Sequence, residues 1–307
     1  MTPILEVKNL KKIYGKKTPY TAVDEISFSL KEGEILGFLG PNGSGKTTTI
    51  QMLLGTLTPT SGQISYFGKD FSLHRSEILK KVAFASTYTS LPHVLTVEEN
   101  LRCFAWFYEV KNWKEKAFPL LERFGIMNQL KKQVSSLSAG QVTRLMLVKA
   151  FFTEPLIALL DEPTASLDPD IALEVCKYIL EERKKRGVSI LFTSHNMAEV
   201  AQACDRAVFL KNGKIVANDL PKNLAKSVSS HKLRIHLVDR MKKVIEIANK
   251  KNLPYQLDDK IIEISLKEDE IPLFLQDLAD HKVLYLKIQI EEPSLEDYFL
   301  QLAEKKR

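Results

Sequence analysis

Short apolar runs alternate along this chain with longer segments of helical spacing, and this pattern predicts an α/β fold. Residues 35–39 form an apolar run that leads into glycines, and residues 47–54 read as the helix that follows. Two further apolar runs, 157–160 and 188–192, are separated by helix-like sequence. Alternation of this kind is typical of a buried parallel sheet with crossover helices.

The sequence before and between these runs predicts an antiparallel sheet and a helical subdomain. Residues 4–7 and 22–30 alternate between apolar and polar side chains, and residues 62–67 continue the strand pattern. Residues 72–152 are mostly helical in character, with the clearest helices at 98–109 and 115–124. Residues 211–214 contain Asn212-Gly213, which favours a two-residue hairpin turn.

The periodic pattern stops between residues 221 and 230, and a second series of elements then begins. We therefore predict two domains, 1–225 and 226–307. The second reads as β-α-β-β-α-β, the order of a ferredoxin-like domain, with a last helix at the end of the chain. The predicted elements are strand 233–237, helix 240–251, strands 255–257 and 260–266, helix 271–279, strand 283–290 and helix 294–305.

Composition limits the class of protein. The 307 residues exceed one average domain, and 44% apolar with 27% charged residues is ordinary for a globular protein. No apolar run approaches the roughly 18–20 residues of a membrane span, and the N-terminal sequence lacks the pattern of a signal peptide. The three cysteines, Cys103, Cys176 and Cys204, show no metal-type spacing and are interpreted as free thiols.

The net charge of +6 is concentrated in one segment. Residues 71–150 contain 12 basic and 6 acidic side chains, which accounts for the whole excess. Two interpretations stay open: a basic surface that faces an anionic bilayer, or a plain solvated helix surface. Nucleic-acid binding is a poorer explanation because no recognisable basic–aromatic cluster is present.

The strongest motif is a phosphate-binding loop, Gly-x-x-x-x-Gly-Lys-Thr, placed between the first buried strand and its helix. Backbone N–H groups of such a loop surround phosphate oxygens, and the helix N-terminus adds partial positive charge. Lys46 is expected to contact the β- and γ-phosphates, and the Thr47 hydroxyl to ligate Mg²⁺. The predicted ATP-binding residues of this loop are Gly40, Pro41, Asn42, Gly43, Ser44, Gly45, Lys46, Thr47 and Thr48.

A second candidate site follows the apolar run at 157–160. Asp161 and Glu162 come directly after it, where a central strand would end. We expect Asp161 to hold Mg²⁺ directly or through water, and Glu162 to lie where a water could attack the γ-phosphate. Two acids after an apolar run are weak evidence alone, but they support the phosphate loop.

Three further motifs resemble those of ATP-binding cassette (ABC) ATPases. Leu137-Ser138-Ala139-Gly140-Gln141 resembles the family's signature sequence, with Ala139 in place of its first glycine. Ser166-Leu167-Asp168 resembles the D-loop, and Thr193-Ser194-His195 resembles the segment with the switch histidine. Tyr14 lies where the family places an aromatic residue that stacks on adenine. The order and spacing of these motifs agree over roughly residues 4–225.

The resemblance implies an ATPase that works as a head-to-tail dimer. Each ATP would lie between the phosphate loop of one subunit and Ser138, Gly140 and Gln141 of the other. Asp168 would contribute to the nucleotide site as well as capping the helix that begins at Pro169. His195 would contact the γ-phosphate and orient Glu162, so that Glu162, His195 and Lys46 form the predicted catalytic set.

One departure from the family concerns Thr87. The family usually has a glutamine after the strand near residue 85, where it contacts Mg²⁺ and water and links the ATPase to its membrane subunit. Threonine is shorter, so we expect slow or partner-dependent hydrolysis.

Two looser resemblances indicate the kind of transporter. Residues 95–101 and 292–300 resemble motifs of ATPase subunits in ABC-2-type exporters. The expected function is ATP hydrolysis that powers export through a separate membrane permease, at the cytoplasmic face of the cell membrane. The alternatives are an importer ATPase with a C-terminal regulatory domain and an ABC ATPase outside transport. No nucleic-acid partner is expected.

Overall fold

The computed structural model describes residues 3–15, 17–86, 91–194, 196–228 and 230–304, and the chain divides into two compact units, Met1–Pro221 and Lys222–Arg307. The strands of the first unit are β1 (Pro3–Tyr14), β2 (Tyr20–Lys31), β3 (Ile35–Leu39), β4 (Ser61–Tyr66), β5 (Lys69–Asp70), β6 (Val82–Ser86), β7 (Ile157–Asp161), β8 (Ser189–Thr193), β9 (Arg206–Lys211) and β10 (Lys214–Asp219). Its helices are α1 (Lys46–Leu53), α2 (Phe71–Leu79), α3 (Val97–Phe107), α4 (Trp113–Arg123), α5 (Ala139–Phe151), α6 (Pro169–Arg186) and α7 (Met197–Ala203). Helix α8 (Pro221–Lys226) begins at the junction of the units.

A six-stranded sheet in the order β10-β9-β3-β8-β7-β6 forms the centre of the first unit. Its strands are parallel except β10, which pairs antiparallel with β9. Strands β3, β7 and β8 are buried at every residue, because helices and a second sheet cover both faces. The predicted parallel sheet is confirmed. So is the hairpin turn, where Asn212 and Gly213 both have positive φ.

A second, antiparallel sheet in the order β2-β1-β4-β5 packs into the same core. Phe28 of β2 and Phe38 of β3 show how the two sheets meet, since their ring centroids are 5.1 Å apart. Strand β2 agrees with the predicted 22–30 to within two residues, whereas β1 is 12 residues long against the predicted 4–7. The added part of β1 contains Lys8, Asn9, Lys11 and Lys12, which interrupt the apolar alternation.

The second unit has the predicted order of elements, β-α-β-β-α-β and a final helix. They are β11 (Ser230–Leu237), α9 (Met241–Lys250), β12 (Tyr255–Asp258), β13 (Ile261–Lys267), α10 (Glu270–Asp280), β14 (Tyr285–Glu291) and α11 (Leu295–Glu304). The sheet is antiparallel in the order β12-β13-β11-β14, and one of its faces packs with α9 and α10 around Phe274. An ion pair of 2.7 Å between Asp297 of α11 and Lys232 of β11 holds the last helix to the sheet.

Candidate functional site

The phosphate loop lies at the carboxyl end of β3, and α1 begins at Lys46 within it. Gly45 precedes that helix in the left-handed region, with φ of 107°. A Cβ atom there would lie 2.5 Å from the carbonyl oxygen of Ala22, so the loop has no room for a side chain. The strand–loop–helix context that the motif requires is present.

Two buried polar groups of this loop are arranged for a ligand. The Nζ of Lys46 donates hydrogen bonds to the carbonyl oxygens of Gly40 (2.6 Å) and Pro41 (3.3 Å). Burial lowers the pKa of Lys46, and the carboxylates of Glu162 and Asp161 oppose that shift. The hydroxyl of Ser44 is buried and has no hydrogen-bond partner in the part of the chain that the structure describes. A buried hydroxyl without a partner is unfavourable, and a phosphate oxygen would satisfy it.

A cleft of about 420 Å³ brings the predicted residues together. Tyr14, which is 39% exposed, lies on its wall, and Tyr20 faces Tyr14 across the β1–β2 pair. Glu162 also lines this cleft. The remaining lining residues are Ala22, Asn42, Gly43, Ser44, Gly45, Lys46, Thr47 and Thr48. The cleft is thus lined by two aromatic side chains, by the phosphate loop and by a carboxylate.

Polar side chains at the carboxyl ends of three neighbouring strands lie side by side at the edge of the central sheet. Asp161 of β7 is paired in register with Ser86 of β6 and with Thr193 of β8. The Thr193 hydroxyl donates to Oδ1 of Asp161 at 2.8 Å. Burial raises the pKa of the Asp161 carboxyl, while the hydrogen bond from Thr193 opposes that rise. A cation beside this carboxylate would favour its charged form.

Glu162 has an unusual backbone conformation. Its φ is 52°, which is uncommon for a residue with a side chain, and it is only 8% exposed. The Thr193 hydroxyl accepts a hydrogen bond of 2.9 Å from the Glu162 N–H. Left-handed backbone at a non-glycine residue persists only where its surroundings hold it, and such residues cluster at functional sites.

Glu199 of α7 is a residue that sequence reasoning missed. Its Oε2 accepts hydrogen bonds from the hydroxyls of Thr164 and Ser194, both at 2.8 Å. Asn196 adds a weaker bond to Oε1 at 3.3 Å and caps α7 with its own side chain. Glu199 therefore joins the segment after β7 to the segment after β8. The polar character of the Ser194–Glu199 segment was visible, but which residues it contacts depends on the sheet order.

The signature segment begins helix α5, whose first residue is Ala139. Ser138 is the N-cap of α5: its hydroxyl accepts from the N–H of Gln141, whose Oε1 accepts from the N–H of Ser138. A Cβ atom at Gly140 would lie 2.9 Å from the carbonyl oxygen of Ser166, so this glycine permits a close approach to the next loop. Among described residues, neither Ser138 nor Gln141 lines the cleft at Lys46.

Two of the remaining predicted residues lie outside the described part of the chain. They are His195 and Thr87, and their roles stay predictions. Asp168 does occupy the N-cap position of α6, ahead of Pro169. Its side chain makes no capping hydrogen bond, so that part of the prediction is wrong. The Asp168 carboxylate does not cap α6 and so remains available for another contact.

Comparison with known proteins agrees with this arrangement. A family model described as ABC transporter matches residues 23–165. The bacitracin transport ATP-binding protein BcrA of Bacillus licheniformis is 33% identical over 304 residues, 98% of each chain. The linearmycin resistance ATP-binding protein LnrL of Bacillus subtilis is 30% identical, again over 98% of each chain. A solved structure of an ATP-binding subunit of an ABC transporter superposes with a TM-score of 0.68 and 29% identity, over 73% of this chain and 92% of that one.

None of the helices in the described ranges has the length and hydrophobicity needed to span a bilayer.

Proposed function

This chain belongs to the family of ABC transporter ATP-binding proteins, and from that premise we propose that it hydrolyses ATP to power export through a separate membrane permease. The main evidence for the nucleotide site is the cleft that Tyr14, Lys46 and Glu162 line together. Adenine would stack on Tyr14, and the phosphates would accept hydrogen bonds from the loop and satisfy Ser44. Lys46 would exchange its carbonyl partners for phosphate oxygens.

Mg²⁺ fits the donor set at the edge of the sheet. The Thr47 hydroxyl is exposed to the cleft, and Asp161 is a buried carboxylate without a cationic partner within 4 Å in the described residues. Mg²⁺ prefers such sparse protein ligation, completed by water and substrate phosphates. The ion would neutralise the charge that develops on the transferred phosphoryl group.

Hydrolysis would then depend on positioning. Glu162 polarises the attacking water, Lys46 stabilises charge on the γ-phosphate, and His195 contacts that phosphate and orients Glu162. The hydrogen bond from the Glu162 N–H to Thr193 fixes the backbone of the base. Because phosphoryl transfer needs little covalent help, fixed geometry supplies most of the rate.

A second copy completes the site. Ser138, Gly140 and Gln141 lie away from the cleft of their own chain and would bind the γ-phosphate held by the other, in a head-to-tail dimer. The N-terminus of α5 offers partial positive charge for that contact. Asp168 would lie at the same dimer contact.

The exporter assignment rests on relatives that align along almost the whole chain. BcrA and LnrL are named for bacitracin transport and linearmycin resistance, and both extend across the second unit. We propose that residues 226–307 form a ferredoxin-like accessory domain. The chain would bind a membrane permease and so sit peripherally on the cytoplasmic face of the membrane.

The test of this function uses Glu162→Gln with Glu122→Gln, an exposed acid of α4, as the control. The carboxamide keeps the shape but not the charge, so turnover should fall by about 100-fold or more while ATP still binds. Size exclusion with Mg-ATP should show a dimer of the Glu162→Gln variant. Undiminished turnover would refute the role of Glu162.

A second experiment tests the exporter assignment by purification of the tagged chain from membranes. Recovery of a polytopic membrane protein with it would support the assignment, and recovery of ribosomal proteins instead would contradict it.

A further inference from the structure

The last strand of the second unit, β14, forms an open edge of its sheet. It pairs with β11 on one side, and no described strand lies on its other side. A bulge at Leu286 interrupts the pairing, and residues 287–291 then pair regularly with β11. An open edge presents unpaired N–H and C=O groups, which makes it a template for another strand.

The regular part of this strand is self-complementary in sequence. It reads Lys287-Ile288-Gln289-Ile290-Glu291, with charges of opposite sign at its ends and two isoleucines inside. An antiparallel copy related by a two-fold axis through Gln289 places each Lys287 opposite a Glu291 and each Ile288 opposite an Ile290. Opposite charges and β-branched residues directly across a strand pair are both stabilising.

Other two-fold registers lose this match. An axis through Ile288 sets Glu291 opposite Tyr285, which lies beyond the bulge, and leaves Lys287 without an opposite charge. An axis through Ile290 sets Ile288 opposite Glu292. Only the register centred on Gln289 pairs every residue of the regular segment with a suitable partner.

The side chains of this segment are available for such a contact. Ile290 is 53% exposed, and Lys287, Gln289 and Glu291 are exposed as well. Glu291 lies across from Lys232 of β11, but that lysine forms its ion pair with Asp297. A single lysine on an edge strand normally keeps other strands away. Here a second copy supplies its counter-charge.

We infer that β14 of one copy pairs antiparallel with β14 of another, so that two four-stranded sheets join into one of eight strands. A two-fold contact of this kind is closed, since the same surface serves both copies. Five residue pairs bury little area, so the contact depends on the ATP-bound dimer proposed above to hold the copies close together.

The first experiment fixes the register by disulfide formation in the full chain with Cys103→Ser, which removes the exposed native thiol. Gln289→Cys places two thiols directly across the axis, at a Cα separation of about 5 Å that a disulfide spans. Lys287→Cys is the matched control, because its two copies lie about 13 Å apart along the strands. With Mg-ATP and mild oxidant, we expect a disulfide-linked dimer at least tenfold faster from Gln289→Cys than from Lys287→Cys.

The second experiment exchanges the charges in the Gln289→Cys background. Lys287→Glu or Glu291→Lys alone puts like charges opposite each other and should slow cross-linking by fivefold or more. The double exchange restores opposite charges and should return the rate to within about twofold. Circular dichroism and thermal unfolding confirm that each variant is folded.

The outcomes separate this contact from the proposed function. A Glu162→Gln chain that dimerises with ATP, together with no cross-link at Gln289→Cys, would overturn the β14 contact and leave the ATPase assignment intact. Equal cross-linking at Gln289→Cys and Lys287→Cys, or a double exchange as slow as the single ones, would also overturn it. A cross-link at Gln289→Cys that forms equally fast with and without Mg-ATP would overturn the dependence of the contact on the ATP-bound dimer.

Discussion

The hydroxyl of Thr193 lies 2.8 Å from Oδ1 of Asp161 and so bridges the ends of two neighbouring strands. The same oxygen accepts the N–H of Glu162 at 2.9 Å. One buried hydroxyl therefore positions both the proposed Mg²⁺ ligand and the proposed base. Because it donates one bond and accepts another, its hydrogen-bonding capacity is well used.

Replacement of this hydroxyl by a methyl group should affect stability and turnover together. Thr193→Val removes one of the hydrogen bonds that the Asp161 carboxylate accepts, while the one from Ser86 remains. It also removes one acceptor of the Glu162 N–H, which still donates to the Thr193 carbonyl oxygen at 3.2 Å. The loss of two such bonds costs about 0.5–1.5 kcal/mol each. We expect kcat to fall by roughly tenfold, as positioning is lost. Chemical unfolding and steady-state ATPase assays measure both effects. Thr193→Ser keeps the hydroxyl and should stay within about threefold of the wild type, and equal losses in both variants would argue against the hydrogen bonds.

Asp161→Asn should separate stability from Mg²⁺ binding. Burial raises the pKa of the Asp161 carboxyl in the folded protein above its usual value of 3.8. The contribution of this group to the free energy of unfolding therefore falls as pH rises from 3.8 through the raised pKa. At pH 7 the neutral amide removes that penalty, and the nucleotide-free variant should melt at the same temperature or about 2–4 °C higher. Stabilisation by ATP should no longer depend on Mg²⁺. Asp170→Asn, at an exposed position of α6, is the control in thermal-shift assays, and a Mg²⁺ response equal to the wild type would exclude Asp161 as a ligand.

Glu199→Gln tests the link between the segments after β7 and β8. The amide keeps the volume but weakens the two hydroxyl contacts at Oε2, from Thr164 and Ser194. Since Glu199 does not line the cleft, kcat should fall about fivefold while KM for ATP changes less than twofold. Gln202→Ala, an exposed position on the same helix, should leave both constants unchanged. A change confined to KM would mean that this residue acts on binding instead.

Removal of the second unit should leave nucleotide binding intact. All predicted ATP-binding residues precede residue 222, and the second unit has its own core. A chain that ends at Lys226 should bind ATP within about threefold of the full-length affinity by isothermal titration. A folded truncation that has lost ATP binding would refute the independence of the two domains.

The threonine at position 87 is predicted to limit basal hydrolysis. Its hydroxyl is too short to replace a glutamine amide near Mg²⁺ and the attacking water, and a lost orienting group lowers turnover by roughly tenfold or more. Thr87→Gln should therefore raise the basal ATPase rate, most clearly without the permease. Steady-state rates with and without that partner decide the point. Equal rates for Thr87→Gln and the wild type in both settings would show that another group, such as an ordered water, fills the role.

Sequence alone was sufficient for the parallel sheet and for the loop that ends at Thr47, because both follow from short local patterns. It did not identify Thr193 or Glu199 as positioning residues, since their partners are distant in the chain and become neighbours through sheet order. Nor did it predict that α5 begins at Ala139, because a capping box depends on two reciprocal hydrogen bonds. The bulge at Leu286 likewise leaves no local signal and shortens the regular part of the last strand.

The close approach of Gly140 to Ser166 has a mechanical consequence. A Cβ atom built on Gly140 would lie 2.9 Å from the Ser166 carbonyl oxygen, so the two backbones are close enough that a shift of one toward the other would displace it. Ser166 follows the chain's own Asp161 and Glu162. In the proposed dimer, Gly140 would face the nucleotide of the neighbouring copy. In that dimer, loss of phosphate at one site would therefore shift the backbone at the other site. The two copies would be expected to hydrolyse ATP in a coupled manner rather than independently.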